Sequence, residues 1–275
     1  MDYVFIPHPD DEIEGWAAFQ SDRRAYPLFI VLTRGEATVF CDVANYAAGW
    51  QPFFEELPAI PVPRVRRSGL CAQARIDSFN AFMDAMAAVD PEHDDAIGRD
   101  LPRTGRAPSP PPGCRVRSTQ FRLWIGAHHA RLVLDAGDGS LRPCHIPWAL
   151  QVARNLLRLL PVRSEGNAIG DGYYGPRARC GAAAYTNSDH YAVYEAMREM
   201  KLGVAGKQWQ LVCADDSPSV YRVLPGSIRD FAFPSITGEI ERHYGWLSVS
   251  RVPADPYCCY PFQYAPQEYF AVTPS

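Results

Sequence analysis

The sequence lacks several features that would place the chain in a specialised class. No run of apolar residues approaches the roughly 20 residues that a membrane-spanning helix requires. The formal net charge is −4, so the balance of charge does not predict binding to nucleic acid. A glycine-rich stretch at residues 170–175 has no Lys-Ser/Thr ending and is not a phosphate-binding loop. We therefore expect no nucleic-acid partner and no membrane span.

The eight cysteines also lack a pattern that would assign them a role. None of them shows CxxC spacing, so the sequence does not predict a cysteine zinc cluster. No export signal precedes the first apolar run, and we expect a cytoplasmic location with reduced thiols. The adjacent Cys258 and Cys259 could still bridge to other segments, which their spacing does not decide.

What the sequence does contain is typical of an α/β protein. Its 275 residues are 47% hydrophobic and 21% charged, which suits one large domain with a sizeable core. The apolar runs at residues 3–6 and 28–32 predict buried strands, and the second reads as a parallel strand covered on both faces. Apolar spacing over residues 69–89 and 147–160 predicts amphipathic helices. We predict a single α/β domain over residues 1–275, with a mostly parallel sheet and helices on both faces.

Three long segments interrupt these elements and are predicted to be loop insertions. They cover about residues 41–68, 91–113 and 164–187, and they are rich in proline, glycine or aromatic residues. Long ordered loops often bind ligands, so we expect them around the site at the carboxyl ends of the strands. Trp50 and Tyr174 are their candidate substrate-binding residues. The alternative is that the aromatic side chains pack against their own loops.

The first strand is followed at once by one imidazole and three carboxylates, in His8-Pro9-Asp10-Asp11-Glu12. A helix is predicted to begin near Asp11 or Glu12, so this cluster lies at the carboxyl end of a strand, where open α/β sheets bind ligands. Acids at a helix start are also explained by the helix dipole, but His8 between two prolines is not. A histidine, an aspartate and a distant third ligand would form a catalytic zinc site with a position open for water.

A second polar cluster, Thr186-Asn187-Ser188-Asp189-His190, precedes another helical pattern. Asn187 or Ser188 can cap this helix. His190 then lies in the first turn, at the same edge of the sheet, and Asp189 is a candidate group for orienting a metal ligand.

The first cluster, after an apolar strand, resembles the signature of the PIG-L/LmbE-like zinc-dependent N-deacetylases. These enzymes remove the acetyl group from N-acetylglucosamine conjugates on a Rossmann-like fold. The resemblance implies that His8, Asp11 and His190 bind zinc and that Asp10 is the general base.

The second cluster resembles the second half of the family's His-x-Asp-His motif. Asn187 stands where the family has its first histidine, so Asn187 or another histidine would stabilise the oxyanion or assist the leaving group. Arg75, on the helix predicted at residues 69–89, is loosely similar to a family arginine and is a candidate substrate-binding residue.

Within this family, the long aromatic-rich loops resemble those of the glycopeptide-antibiotic deacetylases, which act on a teicoplanin-type N-acetylglucosaminyl pseudoaglycone. The implied partner is a glycosylated peptide antibiotic or a glycosylated small molecule. One alternative is a deacetylase of a small cytosolic N-acetylglucosamine conjugate. The others are a magnesium enzyme of phosphoryl transfer and a sugar-binding protein without catalysis. His8 and His190 favour zinc over magnesium, because imidazole suits zinc better.

Overall fold

The structure is a computed structural model. It describes residues 1–9, 25–38, 41, 65–89, 97, 100–172, 175–180, 183–185, 187–212 and 268–272. The strands within these ranges are β1 (Asp2–Ile6), β2 (Pro27–Val31), β3 (Arg103–Arg106), β4 (Ser118–Ile125), β5 (Ala130–Asp135), β6 (Ala168–Gly170), β7 (Gly175–Cys180), β8 (Ala183–Tyr185), β9 (Gln208–Val212) and β10 (Glu268–Val272). The helices are α1 (Gly69–Val89), α2 (His145–Leu156), which continues into a 3-10 turn at Leu157–Leu159, and α3 (Ser188–Glu199).

Eight of the strands form one sheet in the order β10-β9-β6-β1-β2-β5-β4-β3. The five strands from β9 to β5 run parallel, while β10 at one end and β4 at the other run antiparallel to them. Strand β3 pairs antiparallel with β4 at the sheet edge. Every residue of β1 and β2 is buried, as their continuous apolar runs predict for strands covered on both faces. The prediction of an α/β fold with a mostly parallel sheet is confirmed.

Helices lie on both faces of this sheet. The contacts of β5 show this, since alternate residues of a strand point to opposite faces. Leu132 and Leu134 belong to a buried core together with Trp148 of α2 and Val193 of α3. The intervening Arg131 instead donates hydrogen bonds to side chains of α1. Helix α1 therefore covers one face, and α2 and α3 cover the other.

Two of the three predicted loop insertions contain strands, so their description as loops is wrong in part. Strand β3 lies within residues 91–113 and extends the sheet beyond β4. Strand β6 lies within residues 164–187 and pairs in parallel with both β1 and β9, in the interior of the sheet. The same segment contains β7 and β8, which pair as a separate antiparallel hairpin. Most of residues 41–68 lie outside the described part of the chain.

Within the described ranges, four cysteines form disulfides, which corrects the expectation of reduced thiols for these residues. Cys41 is bonded to Cys71 and Cys114 to Cys144, with Cα–Cα distances of 5.9 and 6.1 Å. Disulfides persist mainly in oxidising compartments, so these two give no support to a cytoplasmic location. Within the described ranges, no helix combines the length and the apolar character that crossing a bilayer requires.

Candidate metal centre

His8 lies just beyond the carboxyl end of β1, between β2 and β6, and is 8% exposed. The backbone before it is fixed from the neighbouring strand, because the Thr33 hydroxyl donates a hydrogen bond to the Pro7 carbonyl at 2.8 Å. The His8 Nε2 atom lies 3.1 Å from Asp189 Oδ2 and 3.5 Å from Asp138 Oδ1. One imidazole therefore contacts two carboxylates that come from distant parts of the chain.

Asp189, in the first turn of α3, is fully buried and held from two sides. Its Oδ2 accepts a hydrogen bond from the Gly139 backbone N–H at 2.8 Å, and its Oδ1 accepts one from the Leu141 N–H at 3.0 Å. These bonds join the start of α3 to the turn after β5. The same carboxylate reaches His8, so Asp189 can orient that ring, while its role toward a metal stays a prediction.

Asp138 lies in the turn that follows β5, and its side chain is 8% exposed. Gly137 and Gly139 on either side have φ values of 100° and 78°, which glycine adopts without strain. Burial acts to raise the pKa of Asp138, but contacts with His8, the Ala37 N–H and the charge of Arg75 outweigh it and lower the pKa. A negative charge at neutral pH therefore lies beside His8.

His190 lies next to His8, with 5.2 Å between the ring centroids, and is 1% exposed. Its helix is capped by Asn187, whose Oδ1 accepts hydrogen bonds from the N–H groups of Asp189 (2.8 Å) and His190 (3.4 Å). The end of β6 packs closely here, because a Cβ atom on Gly172 would overlap the His190 carbonyl. Of the two caps left open by the sequence, Asn187 is the one used.

Arg75 and the turn after β2 adjoin this region. Arg75 is 2% exposed, and a Cβ atom on Gly35 would lie 2.5 Å from its Nε and 2.8 Å from Pro9 Cδ. Gly35, with φ of 63°, therefore allows close packing between α1 and the segment that carries His8. Arg75 is near the cluster, as its prediction as a site residue requires, while its role toward substrate stays a prediction.

The cluster meets the spacing requirement for a metal site. His8, Asp138 and Asp189 each offer one ligand atom, and these atoms all lie within 4.8 Å of one another. Histidine nitrogen and carboxylate oxygen are donors that zinc accepts in catalytic sites.

The structure brings together two of the three predicted zinc ligands, His8 and His190. Four further predicted site residues lie outside the described part of the chain: Asp10, Asp11, Trp50 and Tyr174. Asp138 was missed, because a Gly-Asp-Gly turn has no distinctive sequence signal. Only the position of β5 beside β2 brings it to His8.

A second group with ligand spacing consists of Cys114, Cys144 and His145. The two sulfur atoms are bonded to each other. His145 Nδ1 accepts a hydrogen bond from the Arg142 N–H at 2.9 Å, and Nε2 lies 2.8 Å from the Arg115 carbonyl, to which it donates. The polar atoms of this group are already committed to bonds within the protein.

Comparisons with known proteins return no relative: no protein-family model, no curated protein and no solved structure matches the chain. The case for a metal centre therefore depends on the residues and distances described above.

Proposed function

We propose that the chain is a zinc-dependent hydrolase that removes the N-acetyl group of an N-acetylglucosamine conjugate, on a Rossmann-like fold. The observation that carries this proposal is the convergence of His8 and His190 with the carboxylates of Asp138 and Asp189 at one edge of the sheet. A parallel sheet with helices on both faces supports it, because such sheets bind ligands beyond the carboxyl ends of their strands.

The donor set fits zinc. Two imidazoles favour zinc over the hard cations, and nearby carboxylates offset the charge of a divalent ion. We assign His8, Asp11 and His190 as ligands, with Asp189 orienting His8 through the 3.1 Å contact. A second assignment, in which Asp138 and Asp189 bind the metal with His8, has the support of their mutual spacing.

The two assignments predict different effects of removing Asp189. Loss of a group that only orients a ligand typically costs 10- to 100-fold in metal affinity, whereas loss of a ligand removes stoichiometric zinc. Zinc titrations of the Asp189→Asn and Asp138→Asn variants therefore decide between them.

Amide hydrolysis requires a bond from a water oxygen to the acetyl carbon, cleavage of the C–N bond and transfer of a proton to the departing amine. Bound zinc would polarise the carbonyl and make a water molecule more acidic. Asp10 takes the proton from the attacking water and passes it to the amine. Asn187 Oδ1 accepts the capping hydrogen bonds of the helix, and its Nδ2 amide group is the one that could donate to the developing oxyanion.

The substrate that we propose is the N-acetylglucosaminyl pseudoaglycone of a glycopeptide antibiotic. Aromatic side chains offer large contact areas with few rotatable bonds, and Trp50 and Tyr174 are the candidates for contacting the scaffold. Contacts away from the reacting bond can raise turnover as well as affinity. This point is tested by comparing kcat/KM for free N-acetylglucosamine with kcat/KM for the pseudoaglycone. Equal values would mean that the long segments do not contribute to substrate recognition.

The reaction itself is tested by metal analysis of the purified protein together with mass spectrometry of the pseudoaglycone after incubation. We expect about one zinc per chain and loss of one acetyl group, with no reaction after removal of the metal. Release of phosphate from a phosphorylated substrate in the presence of magnesium would favour the phosphoryl-transfer alternative. Binding of the sugar without turnover would favour a sugar-binding protein.

A further inference from the structure

A cavity of about 410 Å³ lies at the edge of the sheet where β3 and β5 end. It is bounded by the turn after β2, the ends of β3 and β5, the start of β4 and one side chain of α1. Asp135 lines it and is three residues from Asp138. Arg34 also lines it and follows Thr33, whose hydroxyl is bonded to the residue before His8. The cavity and the metal centre therefore share one edge of the sheet.

The described residues that line the cavity carry an excess of positive charge. Three of them are arginines, Arg34, Arg106 and Arg122, and one is an acid, Asp135. The Arg34 guanidinium lies 3.8 Å from Asp135 Oδ2, so this acid offsets one positive charge at most. Burial raises the pKa of Asp135, although the charges of Arg34 and Arg117 oppose that shift.

Arg34 and Arg122 both line the cavity, and their like charges oppose each other. Burial lowers the pKa of Arg122, and the positive charge of Arg34 lowers it further. The negative charge of Asp77 on α1 opposes these shifts of the Arg122 pKa. The Arg122 NH1 also donates a hydrogen bond to Gln73 Oε1 at 2.8 Å. Two like charges held near one cavity favour an anion between them.

The remaining walls suit an anion attached to an organic group. Thr104, Ser118 and Gln120 add polar side chains, while Phe121 and Leu134 add apolar surface. The volume falls within the roughly 300–1,000 Å³ of small-molecule sites and exceeds what one oxyanion fills. The cavity is therefore large enough for a charged group and the part of a molecule next to it.

We propose that this cavity is an anion-binding subsite, in which Arg34 and Arg122 bind a carboxylate or a phosphate carried by the substrate, with Arg106 at the rim. A guanidinium matches the geometry of both groups and binds them with two parallel hydrogen bonds. A peptide scaffold would supply a carboxylate, and a phosphorylated conjugate would supply a phosphate. The link to substrate depends on the proposed deacetylase function, whereas binding of the anion does not.

Anion binding is measured first, on protein stripped of metal so that no ion at the metal centre can bind the probe. Acetate and inorganic phosphate are titrated separately by calorimetry, and the tighter of the two identifies the charged group. Arg34→Gln and Arg122→Gln should each weaken binding roughly 10- to 100-fold, because each removes hydrogen bonds to a charged group. Arg158→Gln, at an exposed arginine on the 3-10 turn, is the matched control and should change nothing.

Arg34→Lys and Arg122→Lys keep the charge without the planar fork and should bind with intermediate affinity. Retained binding in these lysine variants would show that the fold is intact and that the glutamine variants lose the site itself. Thermal melting of every variant checks the fold directly. Failure of both anions to bind wild-type protein overturns the subsite, as does an equal loss of affinity in Arg158→Gln.

The connection to substrate is tested with N-acetylglucosaminides that differ only in a neutral, carboxylate or phosphate group on the aglycone. We expect a higher kcat/KM for one of the charged substrates, and loss of that preference in Arg34→Gln and Arg122→Gln. If no substrate loses its acetyl group, the deacetylase proposal fails while the binding result stands. If all are hydrolysed equally and neither anion binds, the subsite fails and the deacetylase proposal stands.

Discussion

Two histidine-containing clusters in the described part of the chain have metal-ligand spacing, and they differ in the partners of their polar atoms. In the cluster around His145, the sulfur atoms of Cys114 and Cys144 are bonded to each other, and both ring nitrogens have backbone partners. In the cluster around His8, the partners of the ring are the carboxylates of Asp138 and Asp189. Ligand spacing alone does not separate the two, whereas the chemistry of the groups beside each imidazole does: a disulfide and backbone groups in one, carboxylates in the other.

The cluster around His145 (the closed cluster) supports the cluster around His8 (the open cluster). Cys144 is the residue before α2, and its disulfide ties the start of that helix to the segment before β4. The same connection between β5 and α2 carries Asp138 and donates the Gly139 and Leu141 N–H groups to Asp189. We infer that the first cluster is structural, and that it holds the turn that completes the second.

Substitutions at the two histidines of the open cluster should give the largest effects. We expect His8→Ala and His190→Ala each to lose stoichiometric zinc and all measurable turnover, since each removes a proposed ligand. The matched substitution in the closed cluster, His145→Gln, should retain zinc. Metal analysis of the purified variants is the measurement. Full zinc occupancy in His190→Ala would remove that residue from the ligand set.

The next largest effect separates zinc binding from the chemical step of the proposed reaction. Asp10→Asn should keep zinc and lose roughly 10²- to 10⁴-fold in kcat, the contribution that general-base catalysis typically makes. Parallel measurements of kcat and zinc content check it. Turnover near the wild-type value would move the base to another residue, of which Glu12 is the nearest carboxylate along the chain after Asp11.

Much of the fold, and part of the site, could be predicted from local sequence patterns. The apolar run of β1 and the capped start of α3 each carry a signal within a few residues, and they position His8 and His190. Strand β6 has only three residues, Ala-Ile-Gly, and is a strand because β1 and β9 pair with it on both sides. Asp138 and the disulfides likewise depend on long-range packing, since partners 30 residues apart leave no local pattern.

Breaking the closed cluster tests its structural role. The double variant Cys114→Ser, Cys144→Ser should lower the free energy of unfolding by about 2–4 kcal/mol, because the disulfide closes a loop between residues 30 apart and restricts the unfolded chain. Urea unfolding measures this change, and zinc content should stay at the wild-type level in the folded variant. Loss of zinc from a variant that remains folded would mean that the disulfide is needed to shape the metal centre.

The smallest expected effect is a dependence of stability on pH that originates at His145. Burial is the main cause that lowers the pKa of this imidazole below its usual value of about 6.5. Protonation of Nδ1 would also break the bond that it accepts from the Arg142 N–H. Above pH 6.5 the ring is neutral in both the folded and the unfolded chain, so its contribution to stability does not change with pH.

Below pH 6.5 the unfolded chain takes up a proton at His145 that the folded chain does not, and the free energy of unfolding therefore falls until the folded pKa is reached. Urea unfolding at a series of pH values from about 7.5 downward, in wild type and in His145→Gln, isolates this contribution as the difference between the two slopes. NMR titration should show the His145 ring neutral, with its proton on Nε2, at pH values where an exposed histidine is half protonated. A His145 ring that titrates at or above pH 6.5 would show that the closed cluster is open to solvent, and the contrast with the cluster around His8 would then fail.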